Sequence, residues 1–121
     1  MSRIQEAMRL GFITAKKIYR ELGAGRNLSD QHLLKAEEFL RELWDCTQTL
    51  EPDVRHFHSQ QIEPQAWLYN HWVNVAALVT WYTQRKSISL ENAYPLLLGA
   101  YLHDIGYARI DEGILNSRHK M

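Results

Sequence analysis

The stretch PQAWLYNHWVNVAALVTWYT, residues 64–83, decides the fold, because its apolar residues recur at intervals of three and four rather than two. That spacing is the period of an α-helix. Proline suits the first turn of a helix, where its missing amide hydrogen has no partner to lose. We therefore predict a helix from Pro64 to Thr83. Its apolar face consists of Leu68, His71, Val75, Leu78 and Tyr82.

The same spacing runs through the start of the chain. A first helix is predicted from Ser2 to Leu22, ended by Gly23 and Gly25, since glycine readily adopts the left-handed conformation that closes helices. Its apolar stripe has small residues at its middle, so it can pack within its own domain or against a second chain. The stripe consists of Ile4, Met8, Gly11, Ala15, Ile18 and Leu22.

A second helix is predicted to begin after Ser29 or Asp30, either of which can cap its first amides, and to stop at Glu51-Pro52. The polar segment 53–63 that follows is predicted to be a short helix with a loop, and its two histidines to be solvated. No segment shows the alternation that indicates a strand. The chain is therefore predicted to be all-α.

The fourth predicted helix begins near Ser89 and runs through a very apolar stretch to His103-Asp104. Pro95 lies inside it and is expected to kink it or to delay its start. Gly106 is predicted to end it. The tail after this point, residues 107–121, is mostly polar, and no further strong helix is expected there.

The composition restricts what the chain can be. Its 121 residues amount to one domain, with 45% hydrophobic and 23% charged residues, as is typical of soluble globular proteins. Fourteen basic side chains balance 14 acidic ones, which argues against DNA as a partner. A single cysteine, Cys46, cannot form an internal disulfide, and no apolar run reaches the ~20 residues of a membrane span. The start shows no signal-peptide pattern, so the chain is expected to be cytoplasmic.

Three side chains have the chemistry of a functional site. His71 lies on the predicted apolar face of the third helix, where it is either a core histidine with a hydrogen-bond partner or a metal ligand. His103 and Asp104 are adjacent at the end of the fourth helix. Neighbouring helical side chains diverge by about 100°, but they can converge where the backbone unwinds before Gly106. An imidazole and a carboxylate aimed at one point suit a divalent metal ion that holds a water for attack on a phosphoester.

Three strings surround these residues: LYNHWVNV at 68–75, LHDIG at 102–106 and ARIDEGILN at 108–116. Together they resemble the HD superfamily of metal-dependent phosphohydrolases, and within it the HD-GYP branch of cyclic di-GMP phosphodiesterases. The two amphipathic helices before residue 51 also look like the lead-in helices of that family. The resemblance covers nearly the whole chain.

The resemblance implies an all-α helical bundle that forms a single partial HD-GYP-like domain. It implies that His71, His103 and Asp104 are metal ligands, and that Asp104 bridges two ions and acts in catalysis. We predict that His71 and His103 both face the apolar interior and approach each other, because the apolar faces of their two helices must meet. The ion would be a divalent transition metal, iron or manganese, and the ligand a cyclic dinucleotide. The domain spans residues 1–121, with lead-in helices in 1–50, the His and His-Asp helices in 64–106 and a short tail in 107–121.

Departures from the family pattern indicate a weakened site. Tyr107 stands where the family has a lysine thought to hold a substrate phosphate, Trp72 is bulky beside the first histidine, and Trp67 replaces a carboxylate ligand of some members. The chain ends at Met121, before the family's later ligands and its Gly-Tyr-Pro loop. We therefore expect a truncated or degenerate member with a non-catalytic regulatory or interaction role, its metal weakly held or absent. The alternative is an active phosphodiesterase completed by a partner chain or by further C-terminal sequence.

A half-domain is expected to expose apolar surface that a partner would cover. The expected partner is a second copy of the chain or another signalling protein. Trp67, Trp72 and Trp81 are candidates for this interface, since aromatic residues concentrate in binding hot spots. The alternative is that these rings fill the chain's own core.

Overall fold

The computed structural model describes residues 2–48, 57–63 and 65–109, and within these ranges it contains helices, turns and irregular segments but no strand. The all-α prediction is confirmed. None of the described helices is long and apolar enough to cross a bilayer. The helices are α1 (Arg3–Gly23), α2 (Asp30–Gln48), α3 (Ala66–Arg85) and α4 (Leu90–Leu102), followed by a 3-10 helix at Ile105–Arg109.

Capping residues fix where the first two helices begin and end. Ser2 and Gln5 form a capping box, in which the Ser2 hydroxyl accepts from the Gln5 amide at 3.2 Å and the Gln5 side chain accepts from the Ser2 amide at 3.0 Å. The Ser29 hydroxyl accepts the amide hydrogen of His32 at 3.2 Å, so it caps α2. After α1, Gly25 has a φ of 83°, the left-handed conformation predicted for it.

The end of α4 differs from the prediction. The helix ends at Leu102 rather than at His103-Asp104, and Gly106 lies within the 3-10 helix instead of ending α4. The amide of Tyr107 donates to the carbonyl of Asp104 at 3.0 Å, which tightens the chain into a 3-10 turn directly after α4.

Other predicted features fall outside the described residues. These are the proline that opens the third helix, the stop of the second helix, His56 and the tail beyond Arg109. α3 begins at Ala66 and continues two residues past Thr83 to Arg85. The segment 57–63 is irregular, and His58 in it is exposed.

The buried face of α3 is not the one predicted. Leu68 is buried, but His71 is exposed, and so are Leu78 by 47% and Tyr82 by 56%. α3 is apolar almost all round, so residue spacing alone does not choose a face. The aromatic rings of the adjacent stripe bury more surface than the aliphatic residues of the predicted one. That buried stripe consists of Tyr69, Trp72, Val73, Ala76, Ala77 and Thr80.

α1, α2 and α4 meet closely at Gly11. A Cβ atom built on Gly11 would lie 2.5 Å from the Phe39 ring. Phe39 in turn packs against Tyr101 of α4, with ring centroids 4.8 Å apart, and the Tyr101 hydroxyl donates to the Gly11 carbonyl at 2.6 Å. All three residues are buried. The middle of the α1 stripe therefore packs within its own chain.

Two asparagines hold the segment 57–63 on α3. The Asn74 side chain accepts from the Phe57 amide at 2.7 Å and donates to the Phe57 carbonyl at 3.1 Å. The Asn70 side chain accepts from the Ser59 amide at 3.0 Å. These side chains, here termed the asparagine clamp, satisfy backbone groups that would otherwise need water or a strand partner.

We expect Gly11→Ala to lower the free energy of unfolding by about 1–3 kcal/mol, because the added methyl group must displace the buried Phe39 ring. Gly99 in α4 has nothing within 4 Å of a built Cβ, so Gly99→Ala should stabilise the fold by up to ~1 kcal/mol. Urea denaturation measures both changes. Equal stability of the two alanine variants would contradict the close approach at Gly11.

Asn74→Ala removes the protein partners of the Phe57 amide and carbonyl, and we expect a loss of roughly 1–3 kcal/mol in the free energy of unfolding. Hydrogen exchange at the Phe57 amide should become faster. Asn92→Ala, at an exposed position of α4, is the control and should change stability by no more than ~0.5 kcal/mol. If the two variants unfold at the same urea concentration, the asparagine clamp contributes nothing to stability.

Candidate metal centre

A short turn, residues 86–89, joins α3 to α4, so that the start of α3 lies beside the end of α4. His71 is in the second turn of α3, and His103 and Asp104 follow directly after Leu102, the last residue of α4. Both residues belong to the turn that follows α4, in which His103 keeps helical dihedral angles, with φ −61° and ψ −28°. That turn lets two consecutive side chains point to one place.

The three predicted site residues come together, and Asp104 contacts both imidazoles. Its Oδ2 lies 2.9 Å from Nε2 of His103 and 3.3 Å from Nε2 of His71. The two histidine rings have centroids 5.4 Å apart, so the predicted approach of His71 to His103 is confirmed. Each residue offers one ligand atom, and these atoms all lie within 4.8 Å of one another. Across the described ranges, no other such group of histidine, cysteine, aspartate or glutamate side chains occurs.

The second ring nitrogen of His103 is tied to the backbone. Its Nδ1 lies 2.6 Å from the carbonyl oxygen of Ala100, and because a carbonyl only accepts, Nδ1 donates the hydrogen. In the neutral ring, Nε2 is then an acceptor that faces the Asp104 carboxylate. Two acceptors so close together need a proton or a cation between them. Metal-ligating histidines commonly donate their other N–H to a carbonyl in this way, which fixes the ring orientation.

The prediction that both histidines face the apolar interior is wrong. The side chain of His71 is 48% exposed, that of His103 is 40% exposed and that of Asp104 is 24% exposed. Trp72 and Tyr101, which are fully buried, occupy the inward positions at this level of the two helices. His71 is therefore not a core histidine, and the His–His–Asp cluster is open to solvent.

The expected obstruction of the site by Trp72 is also absent. That side chain points into the core and lies 6.3 Å from Tyr101 between ring centroids. Trp67 and Trp81 are half-buried. Tyr107, at the position where the family resemblance implies a lysine, is half-buried and packs against the core. It brings no positive charge to the cluster.

The donor atoms of the cluster fit a divalent transition-metal ion. Imidazole nitrogens and carboxylate oxygens bind such ions at about 2.0–2.2 Å, which places two ligands of one ion about 3–4 Å apart. The separations of 2.9 and 3.3 Å around Asp104 agree with this, and no ligand pair is more than 4.8 Å apart. Two histidines and one carboxylate are a typical donor set for iron(II).

Comparison of the chain with protein-family models, with curated proteins and with solved structures gives no match. Its function is therefore inferred from the cluster and from the sequence strings around it. The cluster is the stronger ground, because it joins a side chain of α3 to two side chains that follow α4.

Two supporting contacts were not predicted from the sequence. The last carbonyls of a helix have no intrahelical partner, so a polar side chain just past the end can bond them, as His103 bonds Ala100. The sequence does contain a sign of the asparagine clamp, because Asn70 and Asn74 are amide side chains four residues apart on a largely apolar helix. Both contacts satisfy backbone groups, which a search for catalytic motifs does not detect.

We expect calorimetric titration with manganese(II) or zinc(II) to give one ion per chain. His71→Ala and His103→Ala should each weaken binding by more than the roughly 10–100-fold typical of residues that only support a ligand. His32→Ala is the matched control, because His32 is half-buried in the first turn of α2 and is not part of the cluster. If the control and the cluster variants bind equally well, the ion is held elsewhere.

Proposed function

We propose that this chain is a metal-dependent phosphoester hydrolase of the HD type, in which His71, His103 and Asp104 hold one divalent ion. The observation that supports this is the convergence of three acceptor atoms from two helices, with His103 held in the tautomer suited to a ligand. Acceptors gathered in this way repel one another unless a cation or a proton lies between them. The arrangement is thus suited to binding rather than to stability.

The exposure of the cluster favours a hydrolytic ion over a structural one. Structural zinc sites are closed by four protein ligands, whereas catalytic sites keep a position open for water or substrate. Here three protein ligands come together, and each of their side chains is between 24% and 48% exposed. Water and a phosphoester can therefore reach the ion.

When bound, a divalent ion supplies Lewis acidity, which polarises a phosphoryl oxygen and lowers the pKa of a coordinated water. The residues of the chain hold and orient the reactants. Asp104 contacts both imidazoles through Oδ2, and no described residue bonds its Oδ1, which is free to accept a proton from an attacking water. The bond to Ala100 keeps Nε2 of His103 directed at the reaction centre.

The resemblance to the HD-GYP branch suggests a cyclic dinucleotide as substrate and iron or manganese as the ion. Turnover should be slow, because Tyr107 stands in place of the implied phosphate-holding lysine. Losing one such electrostatic contact typically costs about 10²–10³ in rate. Three protein ligands also hold one ion rather than the bridged pair that the resemblance implies.

A regulatory or interaction role without turnover is the second candidate. Neither 66–84 nor 92–102 contains a charged residue, yet Leu78, Tyr82 and Leu96 are 47%, 56% and 54% exposed. Uncharged, apolar surface on neighbouring helices favours contact with a second copy of the chain or with a signalling protein.

Turnover of cyclic di-GMP with iron(II), manganese(II) and nickel(II) supplied in turn tests the two candidates. We expect metal-dependent hydrolysis well below the ~1–10³ s⁻¹ common among enzymes. The double variant with His103→Ala and Asp104→Ala should show no hydrolysis above background, because it lacks two of the three ligands.

Asn92→Ala is the control for this assay, because Asn92 is exposed at the start of α4, the end opposite the cluster, and the variant should leave the rate unchanged. A chain that binds the ion but hydrolyses nothing with any of the three metals would contradict the hydrolase and support the interaction role. Hydrolysis that persists in the double variant would come from another site or from a contaminant.

A further inference from the structure

The Tyr101 side chain contacts each of the other three helices. Its hydroxyl donates to the Gly11 carbonyl of α1 at 2.6 Å. Its ring lies 4.8 Å from that of Phe39 on α2 and 6.3 Å from that of Trp72 on α3, between centroids. The side chain is fully buried, and because a carbonyl oxygen only accepts, the Tyr101 hydroxyl is the donor of its bond to Gly11. These neighbours leave the end of α4 little freedom.

The Tyr101 contacts lie directly beneath the cluster. Trp72 follows His71 on α3, and Tyr101 precedes His103 by two positions on α4. The two helices therefore meet in two ring pairs at one level. The buried pair of Trp72 and Tyr101 has centroids 6.3 Å apart, and the exposed pair of His71 and His103 has centroids 5.4 Å apart. The rotation of α4 that seats Tyr101 thus also decides where His103 points.

The backbone of α4 provides little support for its own end. His103 comes after the last helical residue, where the intrahelical bonds run out. The Ala100 carbonyl that holds His103 belongs to the residue next to Tyr101. A contact with another helix must therefore set the position of this turn.

We propose that Tyr101 is a positioning residue for the metal centre: its hydrogen bond to Gly11 orients the last turn of α4 and so places His103 and Asp104 against His71. This inference rests on the proposed metal binding by the cluster. It predicts that the buried Tyr101 hydroxyl affects the metal affinity of the exposed cluster.

Tyr101→Phe removes the hydroxyl and keeps the ring. We expect its calorimetric affinity for zinc(II) to fall by roughly 10–100-fold, the loss typical of residues that orient a ligand. Thr80→Val is the matched control, because Thr80 is also fully buried but its hydroxyl donates to Ala76 of its own helix at 2.7 Å. The melting temperature of Thr80→Val should fall by about as much as that of Tyr101→Phe. Its affinity for zinc(II) should equal that of the unchanged chain.

Cobalt(II) adds a readout that stability alone does not change. Its visible absorption at saturation, measured far below the melting temperature, reports the ligand geometry. We expect an altered band in Tyr101→Phe and an unaltered band in Thr80→Val. Unaltered affinity and spectrum in Tyr101→Phe, or equal losses in both variants, overturn the inference and leave the metal centre standing. If the unchanged chain binds no zinc(II), the proposed function and this inference both fail.

A measurement on the unchanged chain covers the case in which Tyr101→Phe does not fold. Coupling between two sites is reciprocal, so a hydrogen bond that favours metal binding must itself be strengthened by the metal. We expect zinc(II) to slow the solvent exchange of the Tyr101 hydroxyl proton, followed by NMR, by about tenfold or more. An exchange rate that zinc(II) leaves unchanged overturns the inference.

Discussion

The absence of a side chain at Gly11 is the constraint on which the rest of the structure depends. Because nothing projects from α1 there, the Phe39 ring of α2 can lie against its backbone, and the Tyr101 hydroxyl can reach the Gly11 carbonyl from α4. Tyr101 then meets Trp72, which fixes α3 against the same junction. The four helices are ordered around this point, and a larger residue at Gly11 would separate them, since interiors are close-packed.

α3 and α4 meet in two ring pairs with different surroundings. The pair of His71 and His103 is exposed, and the pair of Trp72 and Tyr101 is buried. The imidazoles of His71 and His103, the proposed metal ligands, lie at the surface, where a bound ion would also meet water. A positioning contact must exclude water, because a hydrogen bond in a low-dielectric interior is stronger and more directional than one in solvent. The Tyr101 hydroxyl, fully buried against a carbonyl, meets that requirement. The same two helices carry both ring pairs, which couples the stability of the core to the geometry of the cluster.

The sequence predicts the helices well because their start and stop signals are local, as at Ser2 and Gly25. It also predicts that His71 and His103 approach each other, which is confirmed, although the two rings meet at the surface and not, as predicted, between buried apolar faces. It could not predict which side of α3 is buried, since that helix is apolar almost all round and its partners decide. The errors on His71 burial and on Trp72 both follow from that one undetermined rotation. The clamp that holds the segment 57–63 depends on a long-range contact that spacing does not encode.

The scarcity of charge on α3 and α4 limits how strongly this hairpin could attract an ion toward the cluster. Within this hairpin the other charged residues are Arg85, Lys86 and Glu91, which lie at the end opposite Asp104. Fourteen helical residues separate His71 from Arg85, roughly 21 Å at the usual rise, which is more than twice the Debye length of about 8 Å at physiological ionic strength. These three residues therefore exert no long-range steering on a cation or a phosphate near the cluster. Moderate changes in salt should alter their contribution to an encounter there very little.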